Sequence, residues 1–271
     1  VPTCGASRHS LLTGIRPRKL VHLNNHAMYE ELAPQPEREL PETFIHHFKR
    51  QQYYTVGIGK ISHSTDGYVY GYDEDKSEVK ELPHSWDELL FDAGKWGTGW
   101  NAFFGYADGS NRQGMKKQVK PYEAGDVEDD GYPDGLTTRL AIDKLKDLSQ
   151  KNQPFLLAVG YFKPHLPFTA PKKYWDLYDR AQLPLAHIKG LPQNVHMASL
   201  HGSSEFNSYE QGDEKAGAGI VFSDEYARKL IHAYYACVSY IDEQIGQLIQ
   251  ALEENGLKDN TVIVLWSDHG W

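Results

Sequence analysis

The chain has 271 residues, 40% of them apolar and 24% charged, which fits one large domain or two modest ones and excludes disorder along its whole length. A net charge of −9 argues against a nucleic-acid partner held by a basic footprint, although basic residues gathered in a cleft still suit an anionic small substrate. Two cysteines, Cys4 and Cys237, exclude a disulfide framework, and no apolar run has the length of a membrane span.

In chain order, CGASRHSLLTG predicts a short helix stopped by Gly14. A second helix is predicted over residues 41–52, with Pro41 in its first turn, and a short strand over 54–60 (YTVGIGK). Residues 64–133 are rich in Gly, Tyr, Trp and Asp; they predict long loops with one short helix near SWDELLFDAG. Residues 134–152 have apolar positions at helical spacing, and PFLLAVGYF (154–162) is the continuous apolar run of a strand buried on both faces. A helix opens at Pro171, and residues 179–222 are irregular. Residues 223–256 predict a long amphipathic helix, capped by Ser223, stopped by Gly256, with Cys237 as a packed thiol. NTVIVLWSDHG supplies the last strand, and no internal repeat is present.

Helices alternating with strands predict an α/β fold with a mostly parallel central sheet flanked by helices. Such sheets bind ligands beyond the carboxyl ends of their strands, so the residues following each strand matter most. These are Lys60 and His63, then Lys163 and His165, then Asp268 and His269. The helix headed by Cys4 directs its amino end to the same edge, with Arg8 one turn on. Two lysines and an arginine would hold an oxyanion, two histidines would serve as acid and base, and a carboxylate beside a histidine would bind a divalent metal. Each pair alone is commonplace at a strand end; their recurrence at three strand ends is what carries the reading.

The first segment resembles the sulfatase signature, Cys-x-Pro/Ala-Ser-Arg followed by Thr-Gly: Cys4, Ala6, Ser7, Arg8, Thr13 and Gly14 fall in place. GKISH, PFLLAVGYFKPHLPF, SYIDEQIGQL and VIVLWSDHGW are similar to the iduronate-2-sulfatase-like branch of this family, within the alkaline phosphatase superfamily. The resemblance implies that Cys4 is oxidised to formylglycine by a formylglycine-generating enzyme. As the hydrate it would be both nucleophile and metal ligand. It further implies that Asp268 and His269 bind the metal, Ca²⁺ or another divalent cation, and that Arg8 and Lys60 hold the formylglycine oxygens. His63 would take a proton from the second hydroxyl, while Lys163 and His165 would lie near the sulfate, His165 protonating the leaving alcohol. Two hydroxyls explain the need for the modification: one attacks sulfur, and the other expels sulfate afterwards.

The resemblance also implies an Asp pair before the signature, a basic residue after the Asp-His strand and a smaller C-terminal domain, none of which is found among these residues. Residues 1–271 are therefore expected to be a partial catalytic domain, cut at both ends and, on its own, poor in metal binding and turnover. The expected substrate is a sulfated sugar, with a uronic acid in a polysaccharide preferred, and Tyr68, Tyr70, Tyr72, Trp86, Trp96 and Trp100 as candidates for stacking on it. The alternatives are a phosphomonoester or phosphonate ester hydrolase of the same superfamily, and a non-catalytic sugar-binding fragment. The resemblance implies a location in the periplasm, outside the cell or in the lysosome.

Overall fold

In the computed structural model, residues 3–34, 41–116 and 118–270 are described. The chain opens with α1 (Cys4–Thr13), α2 (Ala27–Glu31) and α3 (Phe44–Arg50). Next come β1 (Tyr54–Gly59), β2 (Glu88–Leu90), α4 (Gly99–Phe103) and β3 (Tyr122–Gly125). It continues through α5 (Pro133–Ser149), β4 (Phe155–Gly160), β5 (Phe168–Pro171), α6 (Lys172–Trp175) and α7 (Asp224–Glu254).

All strand pairs are parallel, as the alternation of helices and strands requires. One sheet has the order β2-β1-β4, with Val56 opposite Glu88 and Tyr54 opposite Phe155; the other pairs β3 with β5. Side chains of β4 alternate between two helical layers. Leu156 and Ala158 join Leu12, Met28 and Ile45 of α1, α2 and α3, whereas Leu157 and Val159 join Ala141 and Leu148 of α5. Val56 and Ile58 of β1 are fully buried on the α5 side, each contributing roughly 2 kcal/mol. Helix α7 presents Leu230, Ala233, Cys237 and Tyr240, spaced three and four apart, to the second sheet. Ser223 caps it by accepting the Tyr226 N–H, and burial pushes the Cys237 thiol up to about 12.

Two expectations are corrected. SWDELLFDAG is not helical: Glu88–Leu90 forms β2, because β1 offers it a free edge and Glu88 is held by Lys144 Nζ at 3.0 Å and by the Tyr54 hydroxyl. The run 261–266 forms no strand. Its β-branched residues favour extended backbone, but a strand needs a hydrogen-bonded neighbour, and none of the described residues pairs with it. Val262 to Trp266 are accordingly exposed. The small sheet of β3 and β5 was not foreseen in the irregular stretches.

Two glycines fix how β1 and β4 leave the sheet. Gly59 adopts φ 75°, and a Cβ on Gly160 would lie 1.9 Å from the Lys60 carbonyl oxygen. The Lys60 N–H instead donates to Gly160 O at 2.9 Å, so both exits run side by side. The buried carboxylate of Asp134, in the first turn of α5, then accepts the Phe162 and Lys163 N–H groups at 2.7 and 3.0 Å.

Candidate active site

Beyond these exits lies a cleft of about 430 Å³. Cys4, Lys60, His63 and His165 line it together with Asn25, Tyr72, Trp100, Phe103, Phe104, Arg112 and Glu205. Cys4 opens α1, and the next residue anchors that end: the Gly5 N–H donates to Asn25 Oδ1 at 3.0 Å, where a side chain at Gly5 would strike the Asn25 backbone.

Cys4 Sγ lies 3.2 Å from His269 Nε2. The other ring nitrogen, Nδ1, donates to the Gly270 carbonyl at 2.8 Å, which leaves Nε2 as the nitrogen facing Cys4. The Cys4 contact raises His269 to about 9, against burial. Arg8 Nε donates to Asp268 Oδ2 at 2.8 Å, and its Nη1 donates to the Lys60 and Ile61 carbonyls at 2.7 and 2.9 Å. Ser7 Oγ bonds the Asp268 carbonyl as well. One ligand atom from each of Cys4, Asp268 and His269 falls within 4.8 Å of the others. The donor set fits a divalent cation: a carboxylate, plus an imidazole whose second N–H is committed to a carbonyl, as metal-bound histidines require.

Lys60 Nζ donates to the His63 carbonyl and sits 5.0 Å over the Phe103 ring and 5.7 Å over Trp100. Burial, then Arg8, lowers its pKa to about 8. Burial and Lys60 hold His63 at about 2, so it enters neutral, and its Nδ1 is buried without a hydrogen bond. Burial also lowers His165 to about 4. His165 Nδ1 donates to Leu166 O at 2.7 Å, and its Nε2 is 3.6 Å from Glu205 Oε2.

The expected residues therefore do not all meet in the cleft. Arg8 stands behind it, joining α1, the exit of β1 and Asp268. Lys163 does not line the cleft. Its ammonium donates to the Pro167 and His165 carbonyls at 2.6 and 3.2 Å, because the loop after β4 folds back over it. Of the loop aromatics, Tyr72 and Trp100 reach the cleft; Trp86 and Trp96 are buried in apolar clusters, and Tyr68 lies under Lys76. Arg112 and Glu205 were missed. Both sit in irregular segments with no periodicity, and only the fold brings them together across 93 residues.

A second group, His9, His22 and Glu31, is buried on the flank of α1. His22 Nδ1 accepts the Arg18 N–H at 3.1 Å, so its Nε2 carries the proton and faces Glu31. Glu31 also takes His9 Nε2 at 3.1 Å and Lys19 Nζ at 2.5 Å. This arrangement is a proton-bearing clasp between α1 and α2, with no free lone pair on His22 for a metal.

Parallel strands between two helical layers, with a cysteine-headed helix at the strand ends, give the layout of the alkaline-phosphatase and sulfatase fold. The chain belongs to the sulfatase family, whose model, described as Sulfatase, matches residues 1–271. It is 28% identical to iduronate 2-sulfatase of Mus musculus over 284 residues, covering 99% of this chain and 46% of that protein. It is 29% identical to a sulfatase of Formosa agariphila, covering 100% of this chain and 50% of that one. Among solved structures, the phosphonate monoester hydrolase of Silicibacter pomeroyi superposes with a TM-score of 0.64 at 21% identity, covering 99% of this chain and 54% of that one, a likeness of fold. The chain thus spans about half the length of the curated relatives it matches.

Proposed function

We propose that the protein hydrolyses sulfate esters of a sugar, within a polysaccharide that carries uronic acid, using a formylglycine made from Cys4 and a divalent cation, with Ca²⁺ the family's choice. The observation that carries this reading is the 3.2 Å approach of His269 Nε2 to Cys4 Sγ, where Cys4 lines a cleft together with Lys60, His63 and His165. The oxidised Cys4 would supply a nucleophile with two hydroxyls, and the cation, held by Asp268, His269 and residue 4, would offset charge on the oxyanion.

The chain's own residues then have defined tasks. Arg8 holds Asp268 against the exit of β1 and so keeps the carboxylate aimed at residue 4. Lys60, charged below about pH 8, faces the developing negative charge. His63 enters neutral with Nδ1 free, and it accepts a hydroxyl proton at residue 4 once a bound oxyanion offsets Lys60, the neighbouring charge that, after burial, most depresses its basicity. His165 presents Nε2 to the leaving oxygen. With an anionic ester bound beside it, it takes up a proton from water, the imidazolium being favoured by the neighbouring negative charge, and delivers that proton to the leaving alcohol. Lys163 acts indirectly, by tying the His165 loop.

Activity is proposed for the protein at its natural full length, matured by a formylglycine-generating enzyme and working outside the cytosol. No described helix is long and apolar enough to cross a membrane. Side-by-side hydrolysis of 4-nitrophenyl sulfate and 4-nitrophenyl phosphate tests the reading. Faster sulfate turnover supports it; faster phosphate or phosphonate turnover would replace it with the phosphoesterase of the same superfamily; binding of sulfated sugar without turnover would replace it with a sugar-binding role.

A further inference from the structure

The cleft also carries a cation that the proposed hydrolysis leaves without a task. Arg112 is 5% exposed yet lines the cleft. Its guanidinium carbon stands 3.6 Å from the Phe104 ring centroid and 5.2 Å from that of Tyr209. Its N–H donates to the Phe104 carbonyl at 3.1 Å, so the backbone beneath is fixed too. Nη1 reaches Glu205 Oε1 at 2.9 Å and the Tyr209 hydroxyl at 3.3 Å, while Nε is buried with no hydrogen-bond partner.

Among the described residues that line the cleft, Glu205 is the one carboxylate. Its side chain is 41% exposed, and it sits in irregular chain just before a 3-10 turn (Phe206–Ser208). A buried guanidinium is thus matched to a partly solvated carboxylate. Ser204 and Ser208, on either side of Glu205, also line the cleft, as hydroxyl partners for a sugar.

The aromatic residues decide the sign of the ligand's second charge. Bare aromatic faces beside a carboxylate would suit a cationic ligand. Here Lys60 covers Trp100 and Phe103, and Arg112 covers Phe104. An incoming molecule meets the chain's own cations, held in place by the rings.

We propose that Arg112 is a second anion-binding residue of the cleft, that the substrate carries a further oxyanion besides the scissile sulfate, and that this group takes the guanidinium edge now held by Glu205. Carboxylate and sulfate each present two oxygens to the planar fork of arginine, so both sources fit the chemistry. Exchange of one carboxylate for another at a buried guanidinium costs little electrostatically, because no charge is left unpaired. A neutral sugar has no such group to offer in return for Glu205. Selectivity for doubly anionic substrates follows, and this deepens the proposed hydrolysis by naming its substrate class.

The test uses the full-length matured protein and three sulfated disaccharides: one with a uronic acid, its carboxyl-reduced counterpart, and a disaccharide without uronic acid that bears two sulfates. The wild type is expected to show kcat/KM at least tenfold higher on the uronate, on the disulfated sugar, or on both, than on the reduced form; which one is preferred identifies the source of the second anion. In Arg112→Gln that preference should fall to within about threefold of unity, with 4-nitrophenyl sulfate losing at least ten times less than the preferred sugar. Arg112→Lys, which keeps charge without the fork, should recover only part of the preference. Glu205→Gln should keep or improve KM for the doubly anionic sugar. Equal losses on all substrates, an unchanged preference in Arg112→Gln, or a Glu205→Gln protein that loses affinity for the anion would overturn the proposal.

Titration calorimetry with the sulfate-free uronate product and its reduced form gives the same comparison without turnover. Should sulfate esters prove not to be hydrolysed, only the reading of the reaction fails. Arg112-dependent preference for the uronate in binding would still uphold the second anion site, and its absence would overturn it.

Discussion

Cys4 Sγ and His269 Nε2 meet at 3.2 Å although 265 residues separate them. Nothing local makes that contact. Arg8 holds Asp268, Ser7 holds the Asp268 carbonyl, and the same arginine grips the chain as it leaves β1. The amino-terminal helix is therefore the part on which the far end of the chain docks.

Arg8→Lys should separate positioning from charge. The lysine keeps one cation but cannot bond Asp268 and the Lys60 and Ile61 carbonyls together. A loss of about 1.5–3 kcal/mol in urea unfolding is expected, as for a charge-assisted bond left unmade, and 4-nitrophenyl sulfate turnover should fall at least tenfold. Wild-type stability and rate in this variant would show that the fork is dispensable.

Gly160→Ala tests the packing of the two strand exits. The added Cβ would lie 1.9 Å from the Lys60 carbonyl oxygen, so backbone must shift on one strand. Stability should drop by about 1–3 kcal/mol, read from the urea midpoint, the range for strain forced into a packed core. Gly14→Ala makes a comparison in which positive φ is strained but no atom lies within 4 Å; its cost should be the smaller.

Helix and strand positions that obey a period were legible in the sequence. The α7 stripe of Leu230, Ala233, Cys237 and Tyr240 and the continuous run of β4 both appear where their patterns place them. SWDELLFDAG misled because a three-residue edge strand has no room to display a period; pairing with Val56 decides it. The 261–266 run had strand composition without a partner. At the site, Cys4, Lys60, His63 and His165 were legible because strand ends concentrate ligands, and the structure brings these four to one cleft. That same rule misplaced Lys163, whose side chain was free to turn toward the carbonyls of its own loop. Arg112 and Glu205 had no signal at all, since an ion pair between two irregular segments leaves no trace in either.

The His9 clasp predicts an acid-sensitive flank of α1. Burial, then the neighbouring His22, lowers the His9 pKa below its ordinary 6.5, while Glu31 raises it less. A base with a depressed folded-state pKa binds protons more readily when unfolded, so stability is lost as pH falls from 6.5 toward the folded value. Glu31, lowered against burial by the Lys19 and His22 contacts, adds a further loss at lower pH. The urea midpoint should therefore fall between pH 7.5 and 5.5, with the buried neutral His63 and His165 acting in the same direction, and His9→Gln should make that fall shallower without removing it. Equal slopes in both proteins would assign the acid sensitivity elsewhere.

The central claim is that Cys4 acts as an oxidised residue rather than a thiol. Mass spectrometry of the peptide carrying position 4, taken from full-length protein that hydrolyses 4-nitrophenyl sulfate, tests it most directly. The expected result is the mass of the aldehyde or its hydrate, in proportion to the measured specific activity. An intact thiol at position 4 in fully active protein would contradict the account.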